Sequence, residues 1–367
     1  MKVAIVCDWL TNVGGAEKVL LAIHNLYPKA PIYTSKYSRK GIDWFETADV
    51  RTGWLQIFPT AFRRLLGPLR QRWFSHLDLS GYDLVISVTG AEAKAVKAPD
   101  GVHISYCHVP TQYYWQMYDD YVADPGFGFL NPVVRFFFKL LVKPMRRADF
   151  KAAQGVDQFV TISEYAKELI NKYYKREAVV VHPPVEVDDF KRDAGGKKLE
   201  ESDYYIVTSR QVTWKKLDLA VKACLKLGRR LVVVGEGPEH QRLVKMAGGS
   251  ELIKFVPLVG KKELAEYLRG AKGYLFPSLE PFGIAPVEAL ACGCPVVAYG
   301  EGGARDYVID GVNGVLFEKQ TVKSLAEGIL KFEKMTFDVK KIAKTAEGFS
   351  GKRFDAEMKK VVDENVK

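Results

Sequence analysis

Residues 2–7 form a short apolar run, and after Thr11-Asn12-Val13-Gly14-Gly15 the apolar residues of 16–26 recur at helical spacing. The chain therefore opens as strand, glycine loop and helix. The same rhythm predicts strands at 84–88, 103–107 and 158–162, a long aromatic and basic helix over 131–154, a helix over 164–174, and a strand at 179–181. Strands that alternate with helices argue for a parallel sheet covered on both faces.

His182-Pro183-Pro184-Val185 interrupts this rhythm, because each proline disfavours helix in the residue before it. A domain boundary is placed there. Beyond a polar stretch containing Gly195-Gly196, the pattern restarts with strands at 204–208, 230–235, 253–256, 273–276 and 295–299. Helices at 217–227, 239–246, 262–269 and 285–291 alternate with them. The reading is thus α/β with two doubly wound sheets: a first domain over 1–184, a second over 185–348, and a terminal segment over 349–367. No short period repeats, so the duplication is one of fold type. Open parallel sheets bind ligands at the carboxyl ends of their strands, which places the chemistry in the loops that follow strands, at a cleft between the two domains.

With 367 residues, 47% hydrophobic and 27% charged, the chain is long enough for two cores, which excludes general disorder. The net charge of +10 favours anionic partners without choosing between phosphorylated small molecules, nucleic acid and acidic membrane. Five cysteines, with no secretory leader read before them, suit reduced buried thiols and a cytoplasmic setting. Cys292-Gly293-Cys294 lacks a second pair at zinc spacing, so no metal site is expected. Arg135 and Lys139 interrupt the most hydrophobic stretch, and no spanning helix is expected.

Four strand-end positions carry candidate chemistry. Gly14-Gly15 opens a helix, where free N–H groups suit a phosphate; a turn that needs glycine reads equally well. His108 follows the strand over 103–107. Arg210 and Lys215 follow the strand over 204–208 and offer a diphosphate a fork and a point charge. The block Phe276 to Leu290 holds Glu280 in a loop, Gly283 for close backbone approach and Glu288 in the next helix. One carboxylate can accept hydroxyls of a sugar and the other those of a ribose. Complementing a helix dipole would explain Glu288 alone.

Together with His182-Pro183-Pro184-Val185 and Gly235-Glu236-Gly237-Pro238, these residues resemble the retaining GT-B glycosyltransferases of family 4 over nearly the whole chain. Residues 106–118, with the proline-rich hinge and Phe276 to Glu288, look most like the subgroup that transfers mannose from GDP-mannose. The resemblance implies that Arg210 and Lys215 hold the donor diphosphate, Glu288 the ribose and Glu280 the transferred sugar. Backbone N–H groups of Phe282, Gly283, Ile284 and Ala285 would complete the cradle opposite Gly14-Gly15, and His108 would stand near the reacting centre. It implies front-face substitution with retained configuration and no metal or other cofactor. The terminal segment would pack back on the first domain.

Arg63, Arg64, Arg70 and Arg72 lie among Phe62, Leu65, Leu66, Leu69, Trp73 and Phe74, while Arg135, Lys139, Lys143, Arg146 and Arg147 flank Phe136 to Leu141. Such stretches suit either contact with an anionic bilayer or core-facing helices with a charged outer face. The first reading places the protein peripherally on the inner face of the cell membrane, with a glycan or lipid-linked acceptor. Rivals are a UDP-sugar donor, a GT-B phosphorylase or epimerase, and a nucleic-acid-binding protein; the last leaves the glutamate block unexplained, so no nucleic-acid partner is expected.

Overall fold

The computed structural model describes residues 1–60, 65–191 and 203–366; the positions read as Phe62, Arg63, Arg64 and Gly195-Gly196 lie outside them. The chain divides into unit 1, Met1–Pro183 with Phe354–Lys367, and unit 2, Pro184–Arg353.

Unit 1 is built on β1 (Val3–Cys7), β2 (Ile32–Thr34), β3 (Val50–Thr52), β4 (Leu84–Thr89), β5 (Val102–Cys107), β6 (Gln158–Thr161) and β7 (Ala178–Val180). Their order is β3-β2-β1-β4-β5-β6-β7, with every pairing parallel. All residues of β1 and β4 are buried, as strands covered on both faces require. Unit 2 is built on β8 (Tyr204–Thr208), β9 (Arg230–Val234), β10 (Ile253–Val256), β11 (Gly273–Phe276), β12 (Val296–Tyr299) and β13 (Gly314–Phe317), parallel in the order β10-β9-β8-β11-β12-β13. The doubly wound α/β fold is thereby established in each unit. The strand order reverses at β1/β4 in unit 1 and at β8/β11 in unit 2, the switch points at which such sheets take ligands.

Hydrophobic periodicity locates every expected element to within a residue or two. It misses the strands β2, β3 and β13, which have only three or four residues each, and leaves unread the helices Gly67–Ser75, Val322–Phe332 and Val339–Ala346. A strand that short shows no period, and at the sheet edge Val50 is only half-buried while Arg51 and Thr52 are exposed.

The core of unit 1 contains charge as well as hydrocarbon. Lys94 pairs with Asp149 at 2.6 Å and Arg70 with Glu92 at 2.8 Å, all four side chains at most 2% exposed. Asp149 also accepts from Thr111, Trp115 and Tyr174, and Glu92 from Tyr113 and Tyr114. This corrects the reading of Arg70 as part of an interfacial stretch: its guanidinium serves an interior carboxylate. Arg72, by contrast, is exposed. At the end of β1, the Asp8 carboxylate accepts from the Thr89 hydroxyl and the N–H groups of Gly90, Ala91 and Ala93, tying the loop after β4 to β1. All five cysteines are buried and none is in a disulfide, and burial pushes the Cys107 and Cys224 thiols up to about 12.

In unit 2 a polar knot closes the amino end of the sheet. Arg229, just before β9, forks onto Glu333 at 2.8 and 2.9 Å, joined by Lys272 and the Tyr205 hydroxyl. The Arg229 hydrogen bonds, followed by the nearby Lys272 charge and the Tyr205 hydroxyl, lower the Glu333 carboxyl from 4.5 to about 2 against some opposing desolvation. A depressed carboxylate stabilises the fold above its unfolded value and loses that contribution as pH falls through the folded one. Unfolding temperature should therefore fall between about pH 4.5 and 2 more steeply in the wild type than in Glu333→Gln. Parallel acid profiles for the two proteins would refute the assignment.

Candidate functional site

β8 and β11 are neighbours, and the loops that leave their carboxyl ends bring two expected residues into contact. Lys215 Nζ lies 2.6 Å from Glu280 Oε1, with the two side chains 18% and 12% exposed. Glu280 Oε1 also accepts from Ser278 Oγ at 2.7 Å, and Lys215 rests 4.4 Å from the centre of the Trp214 ring. A cation on an indole face keeps its charge while giving up part of its hydration. Lys215 ends a short 3-10 turn (Thr213–Lys215), and Lys216 then takes φ +54 to start the next helix, which fixes where the ammonium leaves the backbone.

Arg210 sits in the same loop, exposed, with no ion pair among the described residues. Its backbone is held by an interlock that sequence reading did not anticipate. Gln211 is fully buried; its Nε2 donates to the Gly235 carbonyl at 2.6 Å and its Oε1 meets His240 Nδ1 at 2.9 Å. A Cβ on Gly235 would meet Ser209 O at 2.4 Å, and one on Gly237 would meet Gln211 O at 2.4 Å. Gly235-Glu236-Gly237-Pro238 thus acts as the scaffold of the Arg210 loop, which is the physical reason for its glycines.

The second carboxylate, Glu288, is buried as the fifth residue of the helix Ile284–Ala291, beyond the first turn, so the helix dipole does not account for it. Glu280 and Glu288 both raise the buried Tyr274 phenol, after burial itself, so the two carboxylates share its neighbourhood. Gly283 caps this helix with φ +93, and a Cβ there would meet Phe276 Cζ at 2.6 Å. Glycine is required. The first N–H groups of a helix lack intrahelical partners, so Ile284 and Ala285 present donors at this end.

A further support was not read from the sequence. Gly302, at φ +79, and Gly303 follow β12 and press on the loop that carries Glu280: Gly303 N donates to Glu280 O at 2.8 Å, and a Cβ on Gly302 would meet that oxygen at 2.5 Å. Tyr307 donates to Phe282 O at 2.9 Å and packs with Phe282 and Phe349. The Gly300-Glu301-Gly302-Gly303 run was the available signal.

His108, Gly14 and Gly15 belong to unit 1. His108 follows β5; its backbone N–H donates to Thr89 O at 2.8 Å, and Nε2 is buried with no partner among the described residues. Burial pushes the imidazole down to about 4, so it is neutral at physiological pH. Gly14 is the N-cap of the helix Gly15–Leu26 at φ −164, an extended conformation open to any residue. A side chain there would meet Glu17 Oε2 at 2.8 Å. That oxygen ends a flexible side chain, so neither a left-handed turn nor close backbone packing requires glycine at this position.

Residues 188–349, within unit 2, match the family described as "Glycosyl transferases group 1". The chain is 28% identical over 203 residues to an uncharacterized glycosyltransferase of Methanocaldococcus jannaschii, covering 54% of this chain and 52% of that one. It is 34% identical over 193 residues to a D-inositol 3-phosphate glycosyltransferase of Geodermatophilus obscurus, covering 46% and 43%. The chain thus spans about half the length of the curated relatives it matches. Among solved structures, Anabaena HepE in complex with UDP is similar with a TM-score of 0.70 at 18% identity, covering 99% of this chain and 100% of that one; the same protein is also known with UDP-glucose. The family match lies within unit 2, and the likeness to solved structures shows the fold, the two Rossmann-like units of GT-B proteins.

Proposed function

We propose that the protein is a retaining, metal-independent hexosyltransferase that moves a sugar from a nucleotide diphosphate sugar to a glycan or lipid-linked acceptor in surface polysaccharide or glycolipid synthesis. The Lys215–Glu280 contact at the switch point of unit 2 is the observation that carries this reading. Lys215 is the cation nearest the carboxylate that would read sugar hydroxyls, so diphosphate and hexose would meet at one point. Arg210 supplies the second positive charge, and the N–H groups of Ile284 and Ala285 supply preoriented donors. Such groups stabilise the charge that develops on a departing diphosphate, the role a metal would otherwise fill. Glu288 would take the ribose. His108, neutral and with an unpartnered Nε2, can donate to or accept from a sugar hydroxyl.

GDP-mannose is the donor proposed, on the resemblance of residues 106–118, the proline-rich hinge and Phe276 to Glu288 to mannosyltransferases. The UDP complexes of Anabaena HepE favour a second reading, a UDP-hexose donor. The acceptor would be met at the cytoplasmic face of a membrane; among the described residues no helix is long and apolar enough to cross one.

A ligand that binds only the native state raises its stability by mass action, about 2.7 kcal/mol at a hundred times its dissociation constant. Thermal unfolding with GDP-, UDP-, ADP- and dTDP-sugars should therefore show a shift of several degrees for the true donor, unchanged by EDTA. No shift with any nucleoside diphosphate would overturn the donor site, and a shift that needs a divalent ion would overturn metal independence.

A further inference from the structure

The helix Asn131–Gln154 of unit 1 has two apolar faces, and the fold uses one of them. Val142, Met145, Asp149 and Ala153 recur at three- and four-residue spacing and are buried. Val133, Phe136, Phe137, Leu140 and Leu141 form the opposite stripe and are all exposed, Phe136 by 65%, Phe137 by 53% and Leu140 by 62%. Just before the helix, Phe129 is 90% exposed. Monomeric proteins rarely leave a contiguous run of large apolar side chains in water.

Charge identifies what covers it. Lys139, Lys143, Arg147 and Lys151 are exposed at successive four-residue steps, winding from the flank of the stripe into its continuation. Like charges at this spacing destabilise a helix. The helix's sole acid, Asp149, is buried against Lys94 and neutralises none of them. Arg135 and Arg146 are not part of this ladder. Arg135 donates to the Val122 and Ala123 carbonyls, while Arg146 donates to Tyr114 O and covers the Tyr118 ring, which corrects their sequence reading as interfacial residues. Among the described residues none of the four pairs with an acid, and a two-fold dimer through this face would bring the four charges of each copy together.

We propose that this face docks in the plane of an anionic lipid bilayer, with Phe136, Phe137 and Leu140 among the acyl chains and the Lys139–Lys143–Arg147–Lys151 ladder on the headgroups. It rests on the reading of a membrane-proximal acceptor for its purpose, and it names the surface that reaches it. The test is co-sedimentation of the full chain with phosphatidylcholine vesicles with and without phosphatidylglycerol. Because the vesicles carry neither donor nor acceptor, the outcome does not depend on transfer. Binding should require phosphatidylglycerol and weaken with salt. Phe136→Ser with Phe137→Ser should lower the bound fraction on the order of tenfold, and Lys143→Gln with Arg147→Gln on the order of tenfold too, with a weaker salt dependence than the wild type. Both variants should keep the wild-type unfolding temperature, since the altered side chains are exposed. Absence of wild-type binding, equal binding by the variants, or conversion of a dimer to a monomer by Phe136→Ser with Phe137→Ser would each overturn the proposal. The last would make the face an interface between copies of this chain.

Discussion

Lys215→Ala is expected to lower the rate of sugar transfer by about 10² to 10³-fold, the range for losing one preorganised charge at a reacting centre. The fold should survive, because the ammonium lies in a polar loop and leaves Glu280 still bonded to Ser278 Oγ. Glu280→Ala should cost as much, but for the other partner: it would leave Lys215 its charge and remove the acceptor for sugar hydroxyls. Glu280→Gln separates the two contributions. It keeps an oxygen for a hydroxyl while removing the pull on Lys215, so turnover should fall less than in Glu280→Ala while donor affinity holds. Turnover and donor KM, measured beside thermal unfolding, check all three. Undiminished turnover in Lys215→Ala would remove the proposed site.

The largest effect on stability should come from the interior of unit 1. Lys94→Ala leaves Asp149 as a buried carboxylate facing three neutral donors and no cation, a change that costs about 3–5 kcal/mol. For a chain of this size the unfolding midpoint should fall by roughly 5 °C. Adding Asp149→Asn to Lys94→Ala removes the stranded charge and should recover part of the loss. A cycle in which the double variant is less stable than the sum of its parts would contradict this account. Such a result would shift the stabilisation to the neutral hydrogen bonds of Thr111, Trp115 and Tyr174.

How far the sequence could be read follows from the range of the interactions involved. Helices such as Glu164–Tyr174 and Leu217–Leu227 announce themselves through local period, and the structure places them where the pattern does. Glu280 and Lys215 were legible as strand-end residues, but their contact was not, because β8 and β11 become neighbours only through the reversal of strand order. Arg70 could not be assigned from its basic surroundings: its partner Glu92 is 22 residues away, and only the packed fold takes both from water. The pair Gly302-Gly303 carries no chemistry of its own. Its value lies in backbone contact with Glu280 and Pro281, which no side-chain pattern reports.

The assignment of Phe354–Lys367 to unit 1 has a consequence for biosynthesis. Phe354, Met358, Val361 and Val362 are buried, and Phe354 packs edge-on to Tyr106 of β5. During translation these residues leave the ribosome only after all of unit 2. A nascent unit 1 must therefore wait, with the Tyr106 side of its sheet uncovered, while 170 further residues from Pro184 to Arg353 are made. At about 5–20 residues per second that is an interval of seconds or longer, in which a chaperone has an apolar surface to hold.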